Sequence, residues 1–425
     1  MKKLKVVHIN ASSEGGASIV AQRLNEGLNE AGQITSSHLV FSGKPYSGKT
    51  QWGYELISNS GWKRFTAFMR HALDKLDFLR FEADKTIRFQ FSHASQGMDI
   101  SRHPLVQEAD IVHLHWVHKG FQSFSTLEKL LALPKKFVWT CHDLWPVTGG
   151  CYYNWGCTNH ETGCGNCKYL KKPSPEDLSS VLIQKKLRLW GNNQIRFVTP
   201  SQWLADQGKR SIVMRANKPF TVIPNPIDTS AFQPLSSEGR AGLRTQYGLP
   251  KDVPVLLFSA AYLGNPAKGF SHFIDLCNTL HNNGTAFHAL ILGDNKDREL
   301  QLDFPFTHWG YVSDAERIKH AFLLSDLYVI TSVQDNLPTT IMESLSLGTP
   351  VAGFRVGGIP ELVDEGQNGF LSDSGDTESL KEHVSEYLHN SAEWPAFREN
   401  ARNKAVNTYD TRVVSAQILS VYQSL

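Results

Sequence analysis

Asp335 and Glu343 stand eight residues apart in VQDNLPTTIMESLSLGTPVAGFRVGGIPELV, and Asn336-Leu337-Pro338-Thr339-Thr340 leads from the first into an apolar helical pattern. This spacing predicts one carboxylate in the loop before a helix and the other within its early turns. The first N–H groups of a helix have no intrahelical acceptor and receive anions such as phosphate. A carboxylate at Glu343 can accept the hydrogen bonds of a ribose diol. Gly348-Thr349-Pro350 then closes the helix, and Gly357-Gly358-Ile359-Pro360-Glu361 reads as a glycine turn opening another. Two helix starts aimed at one crevice suit a nucleotide diphosphate. Near the N-terminus, Ser12-Ser13-Glu14-Gly15-Gly16-Ala17-Ser18 fits either a tight βα turn or a further anion contact.

Gly43, Gly48, Lys49 and Thr50 complete the spacing of a phosphate-binding P-loop. Such a loop needs a strand ending at the first glycine and a long helix opening at Lys-Thr. SSHLVFS supplies a strand, but QWGYELISNSGW makes a poor helix, and Pro45 removes one N–H from the cradle. The expectation is a plain loop after the second strand.

Five of the six cysteines fall between 141 and 167. Cys151, Cys157, Cys164 and Cys167, the last two forming a CxxC knuckle, could close a tetrahedral structural zinc site in a reducing compartment, with His160 as a spare ligand. Ordered free thiols and disulfides are the alternatives.

The elements that must position these residues alternate regularly. KVVHIN precedes a helix from about Gly16 to a stop at Gly32; ADIVHLHW, KKFVWTCHD, IRFVTPS and FTVIPNP follow. After residue 226 the rhythm resumes with VPVLLFSAA, HALILG, FTHWGYV, SDLYVITS and TPVAGF. Strands spaced by helices mean parallel, doubly wound α/β sheets. The length of 425 residues suits two domains, 1–225 with a Cys-rich insertion at about 141–170, and 226–405, closed by a helix over 406–425. A formal net charge of +2 excludes the dominant basic field of a nucleic-acid binder. The first residues read as a strand rather than a signal peptide, and no apolar run is long enough to span a bilayer, so the expected location is cytoplasmic.

Ser332–Phe370, with Gly15-Gly16, the stretch Asp110–His115, the IPNPID hinge and Lys268-Gly269, resembles the retaining glycosyltransferases of family 4. The resemblance implies the GT-B fold, two Rossmann-like domains facing across a cleft with Gly15-Gly16 and the 335/343 acids on opposite sides. It implies a nucleotide-diphosphate sugar as donor, bound by Gly15, Gly16, Lys268, Asn336, Leu337, Pro338, Thr339 and Glu343, and no catalytic cofactor. Lys268 would neutralise the departing diphosphate, and His115 would stand beside the reacting sugar with Asp335. His142 and Asp143 would lie on the acceptor side. Asp335 replaces the family's usual glutamate, and the arginine usually found about six residues before Lys268 is missing, with Arg355 and Lys209 as candidate replacements. His113 is expected to turn to the face opposite His115, into the core. The implied function is transfer to a glycan, often lipid-linked, in surface polysaccharide or lipopolysaccharide synthesis. A nucleotide-sugar epimerase and a non-catalytic glycan or nucleotide binder are the competing classes.

GWKRFTAFMRHALDKLDFLRFEADKTIRFQF places Trp62, Phe65, Met69, Leu73, Leu76 and Leu79 or Arg80 at helical spacing among seven basic and four acidic residues. Such a helix either packs its apolar side on its own domain or lies at a membrane surface.

Overall fold

The computed structural model describes residues 3–45, 52–214, 220–296 and 298–425. The chain divides into two units, residues 1–226 with 411–425, and residues 227–410.

The first unit is built on strands β1 (Leu4–Ser12), β2 (Ile34–Ser42), β3 (Tyr54–Leu56), β4 (Ile111–Leu114), β5 (Lys136–Thr140), β6 (Ile195–Thr199) and β7 (Phe220–Val222). They form one parallel sheet in the order β3-β2-β1-β4-β5-β6-β7. The connections run one way from β1 and the other way from β4. The gap between these two strands is therefore the topological switch point, where open α/β sheets bind ligands.

The helix Gly16–Glu30 and the C-terminal helix Thr411–Gln423 cover one face of this sheet. Val20, Leu24 and Leu28 pack with Val414, Ile418 and Tyr422 over Val6, Ile111 and Val138. A Cβ on Gly27 would lie 2.4 Å from Ser415 Oγ, so glycine sets how closely these two helices approach. The last helix of the sequence thus belongs to the first unit.

The second unit carries β8 (Val255–Tyr262), β9 (His288–Asp294), β10 (Phe306–His308), β11 (Leu327–Ile330), β12 (Val351–Phe354) and β13 (Gly369–Ser372), all parallel, in the order β10-β9-β8-β11-β12-β13. Its switch point lies between β8 and β11. Asp326, buried just before β11, ties two helices to the sheet through Arg240 (2.8 Å), Arg244 (2.5 Å) and Arg398 (2.9 Å). Burial pushes its carboxyl up, but the guanidiniums outweigh that and hold it below the usual range.

Strands β3 and β13 lie outside the sequence expectation, because YEL carries a charge at its centre and GFLS opens on glycine and closes on serine, so neither reads as an apolar run. Gly48, Lys49 and Thr50 of the P-loop spacing lie outside the described residues. On the described side, the chain continues into β3, and Gly61–Phe78 is the next helix, so the helix a P-loop requires does not follow. Gly43 serves another purpose: its φ is +132°, and a Cβ there would come within 2.0 Å of Ser13 Oγ.

Candidate functional site

In the second unit, Asp335 follows β11 and Lys268 follows β8, so the switch point brings them together. Lys268 Nζ lies 2.5 Å from Asp335 Oδ2. Lys268 ends a short turn, Pro266–Lys268, capped by Asn265, whose Oδ1 accepts from Ala267 N–H at 3.1 Å. Two glycines make the meeting possible. Gly269 has φ +64°, and a Cβ on it would sit 1.9 Å from the Thr331 carbonyl oxygen. Gly357 has φ +58°, and its Cβ would sit 1.7 Å from the Asp335 carbonyl oxygen. Gly358 N–H then donates to Asn336 O at 2.7 Å, binding the loop after β12 to the loop after β11.

The helix Thr339–Ser346 starts after Pro338 with no side-chain cap, which leaves its first N–H groups for a ligand. Leu337 is buried beneath this start, and Glu343 sits in the second turn, also buried. The other expected helix start is only the single turn Ile359–Leu362, because the chain turns extended at Val363. One helix terminus, not two, therefore serves this crevice.

Of the candidate replacement cations, Arg355 is bound to Glu365 at 2.6 Å, and Lys209, in the first unit, to Asp206 at 3.1 Å. The position six before Lys268 is Tyr262, where β8 ends. The Lys296 ammonium lies 4.7 Å from the Tyr262 ring centroid, a cation supplied by the chain after β9. Sequence spacing could not find it, because Tyr262 and Lys296 meet only through the pairing of Tyr262 with Asp294.

In the first unit, the switch point lies between the Ser13–Gly16 turn and His115. Gly15 has φ +92°, and nothing lies within 4 Å of a Cβ on Gly15 or Gly16, so this turn is open rather than packed. It begins the helix Gly16–Glu30, which has no side-chain cap and no acidic residue in its first turn.

His115 heads a chain of imidazoles. Its Nε2 is 2.9 Å from His8 Nδ1, and its Nδ1 is 3.0 Å from His142 Nε2. Both nitrogens of His115 are thus engaged and its ring is buried, while His142 is partly exposed. A neutral imidazole has one N–H and one lone pair, so His115 donates to one neighbour and accepts from the other. Burial first, then the neighbouring imidazoles, holds His115 well below its usual pKa, and burial takes His142 down to about 3.

His113 corrects an expectation. Residues two apart on a strand share a face. Accordingly its ring stacks on His115 at 4.4 Å rather than turning to the opposite face. It bonds Tyr422 at 2.6 Å and Thr140 at 2.7 Å, beneath the C-terminal helix. Asp143 accepts from Trp116 Nε1 (3.0 Å) and Trp145 N–H (2.8 Å), and burial pushes its carboxyl up to about 6.

His8, His113 and His115 offer ligand atoms within 4.8 Å of one another, the spacing of a metal site. The ring planes argue against one. A ligand lone pair lies in the plane of its ring, and the stacked His113 and His115 rings aim past each other, with both His113 nitrogens already bonded. The four cysteines of the loop line a single cavity with His160 and Ser179. Among the described residues, no three of their sulfurs gather within 4.8 Å, whereas a ZnS₄ tetrahedron with Zn–S of ~2.3 Å needs them at ~3.8 Å. All four are free thiols, which sets disulfides aside. Burial pushes Cys151 and Cys164 up to about 12.

Two parallel sheets, each with its candidate residues at the switch point, define the GT-B class of sugar-transferring enzymes. The Glycosyltransferase Family 4 profile matches residues 15–231 and the Glycosyl transferases group 1 profile matches residues 240–404, and the chain belongs to this family. It is similar to a protein of Escherichia coli (strain K12) named as the colanic acid biosynthesis glycosyl transferase WcaC, with 26% identity over 372 residues, 83% of each chain. The amylovoran biosynthesis glycosyltransferase AmsK of Erwinia amylovora is 25% identical over 40% of this chain and 45% of its own. Among solved structures, HepE of Anabaena in complex with UDP superposes with a TM-score of 0.65 at 16% identity, covering 99% of this chain and 100% of that one. Sucrose-phosphate synthase of Thermosynechococcus elongatus gives 0.66 at 15% identity, covering 99% of both. At these identities the likeness is one of fold.

Proposed function

We propose that this glycosyltransferase moves a sugar from a nucleoside-diphosphate donor to a growing surface glycan, with retention of anomeric configuration. The observation that carries the reading is the Lys268–Asp335 pair at the β8/β11 switch point, followed by the uncapped helix that bears Glu343. Glu343 accepts from the ribose hydroxyls. The first N–H groups of the uncapped helix Thr339–Ser346 and the Lys268 ammonium take the diphosphate, whose charge grows as the glycosidic bond breaks; fixed cations aimed at developing charge lower such barriers. Asp335 holds Lys268 in place and meets the hydroxyls of the transferred sugar. As the bond from the anomeric carbon to the diphosphate oxygen breaks, the bond to the acceptor oxygen forms on the same face, and that diphosphate oxygen receives the acceptor's proton.

In the first unit, the open Gly15–Gly16 turn offers N–H groups to an anion. His142 and Asp143 meet the acceptor, and His115 acts through His142 by fixing its tautomer. The names of the relatives matched, colanic acid and amylovoran biosynthesis, support a surface polysaccharide as product. The UDP bound to the Anabaena protein supports a nucleotide-sugar partner.

The test is a thermal-shift screen of UDP-, GDP- and ADP-sugars, followed by turnover of Glu343→Ala. A true donor raises the melting point by mass action. The substitution costs on the order of 10- to 1,000-fold in turnover with the fold intact. Unchanged turnover refutes the assigned site. Interconversion of donor sugars marks an epimerase, and binding without slow donor hydrolysis marks a binder.

We also propose that the cysteine loop draws together on zinc as a structural clip. The support is the shared cavity and the N–H groups of Gly149 and Tyr169, which reach the sulfurs of Cys164 and Cys167.

A further inference from the structure

The helix Gly61–Phe78 is mounted with its apolar side outward. The side toward the protein is Ala67, Asp74 and Phe78. Asp74 accepts from Ser95 N–H (3.0 Å), Ser95 Oγ (3.0 Å) and Gln96 N–H (3.3 Å). Arg70 reaches the Gly97 carbonyl, and Phe78 stacks on Phe91 at 5.1 Å. Gly120, with φ +73°, lets the helix backbone come so close that a Cβ would sit 2.7 Å from the Arg70 carbonyl carbon. These contacts fix the rotation of the helix about its axis.

What they turn to solvent is large and apolar. Trp62 is 74% exposed, Phe68 65%, Leu76 60% and Phe65 52%, with Leu73, Met69 and Leu79 beside them. At 100° per residue these seven occupy an arc of about 140°, opposite the buried side. An amphipathic helix normally buries this face, and an apolar patch of this extent marks an interaction surface. Of the two alternatives, packing of this apolar side on its own domain is not what the structure has: Asp74 and Arg70, with Ala67 and Phe78 on the narrow buried side, make the tertiary contacts instead.

Charge selects the occupant. Residues 61–91 carry seven basic side chains against four acidic ones, while the whole chain nets only +2. The positive excess is therefore concentrated on this segment. Asp74 is turned inward and Asp77 is held by Arg80 at 2.6 Å and His93 at 2.9 Å, which leaves Lys63 and Arg64 beside Trp62 at the outer end. A second copy of the same face would set this positive end against another. An anionic surface with an apolar interior complements both features, and no described helix is long and apolar enough to cross a membrane. We propose that the helix Gly61–Phe78 lies in the plane of an anionic lipid surface, its Trp62, Phe65, Phe68, Leu73 and Leu76 side chains entering the acyl boundary and Lys63 and Arg64 meeting phosphate headgroups.

This inference stands apart from the transfer chemistry and is tested without a donor. The full chain is mixed with phosphatidylcholine vesicles containing about one quarter phosphatidylglycerol, with pure phosphatidylcholine as control, and binding is read by flotation. The wild-type chain floats with the anionic vesicles, less so at high salt. Both Trp62→Ser/Phe65→Ser/Leu76→Ser and Lys63→Glu/Arg64→Glu weaken partition at least about tenfold. Their melting points stay at the wild-type value, because the replaced side chains touch solvent. Binding that is indifferent to both variants overturns the proposal. So does a lowered melting point in the serine variant, or a wild-type dimer that the serine variant converts to monomer without any vesicle binding.

Discussion

Acidification should unfold the first unit well before the second, because a row of buried histidines crosses its sheet. His38, His8 and His113 are aligned on neighbouring strands by register. His38 and His113 are fully enclosed, and burial takes each from 6.5 to about 3. A base whose folded pKa is depressed leaves the folded state with fewer protons than the unfolded state. Its contribution is therefore intact above 6.5 and is lost as pH falls toward 3. pH 5 lies 1.5 units below the unfolded pKa of each ring, a loss of about 2 kcal/mol at 1.36 kcal/mol per unit, hence about 4 for the pair. Asp143 works in the opposite direction. Burial raises its carboxyl to about 6, so its stabilising share grows between pH 6 and 4 and offsets about 1 kcal/mol at pH 5. A net loss of about 3 kcal/mol corresponds to roughly 6–12 °C for a unit of this size. His8 and His115 move in the same direction.

Scanning calorimetry at pH 7, 6 and 5 reads this as a shift of one of two transitions. His38→Leu isolates the cause. Neither ring nitrogen of His38 has a hydrogen-bond partner, so leucine loses no hydrogen bond there and should remove the His38 share, about 2 kcal/mol, of the loss between pH 7 and 5. The reasoning is refuted if the first unit's transition moves by less than ~3 °C between pH 7 and 5, or if His38→Leu keeps the full shift.

Gly357→Ala should abolish the thermal shift given by a donor while leaving the melting point of the free protein within a few degrees, since its Cβ would strike the Asp335 carbonyl in a surface loop; a retained donor shift contradicts the loop geometry. Metal analysis of the protein purified without chelator should find about one zinc per chain, lost in Cys164→Ser/Cys167→Ser; a chain lacking zinc with all four thiols titratable refutes the clip.

The two sheets were legible because nearly every strand is a short apolar run bounded by turn residues, a pattern written locally. The spacing of Asp335 and Glu343 was legible for the same reason: loop, helix start and first turns are consecutive in sequence. Lys268 was found by resemblance, yet its pairing with Asp335 depends on β8 lying beside β11, a neighbour relation that no local pattern encodes. The Tyr262–Lys296 contact and the register that sets His38, His8 and His113 in a row are of the same kind. For the helix after Gly61, periodicity determined which residues share a face, and it was correct. Which way that face points was decided only by tertiary structure, because Asp74 found three donors and Arg70 a carbonyl on the protein side, and a helix rotates to satisfy the contacts it has. The sequence by itself determines what is apolar and what is charged; the packing determines which of those surfaces water still reaches.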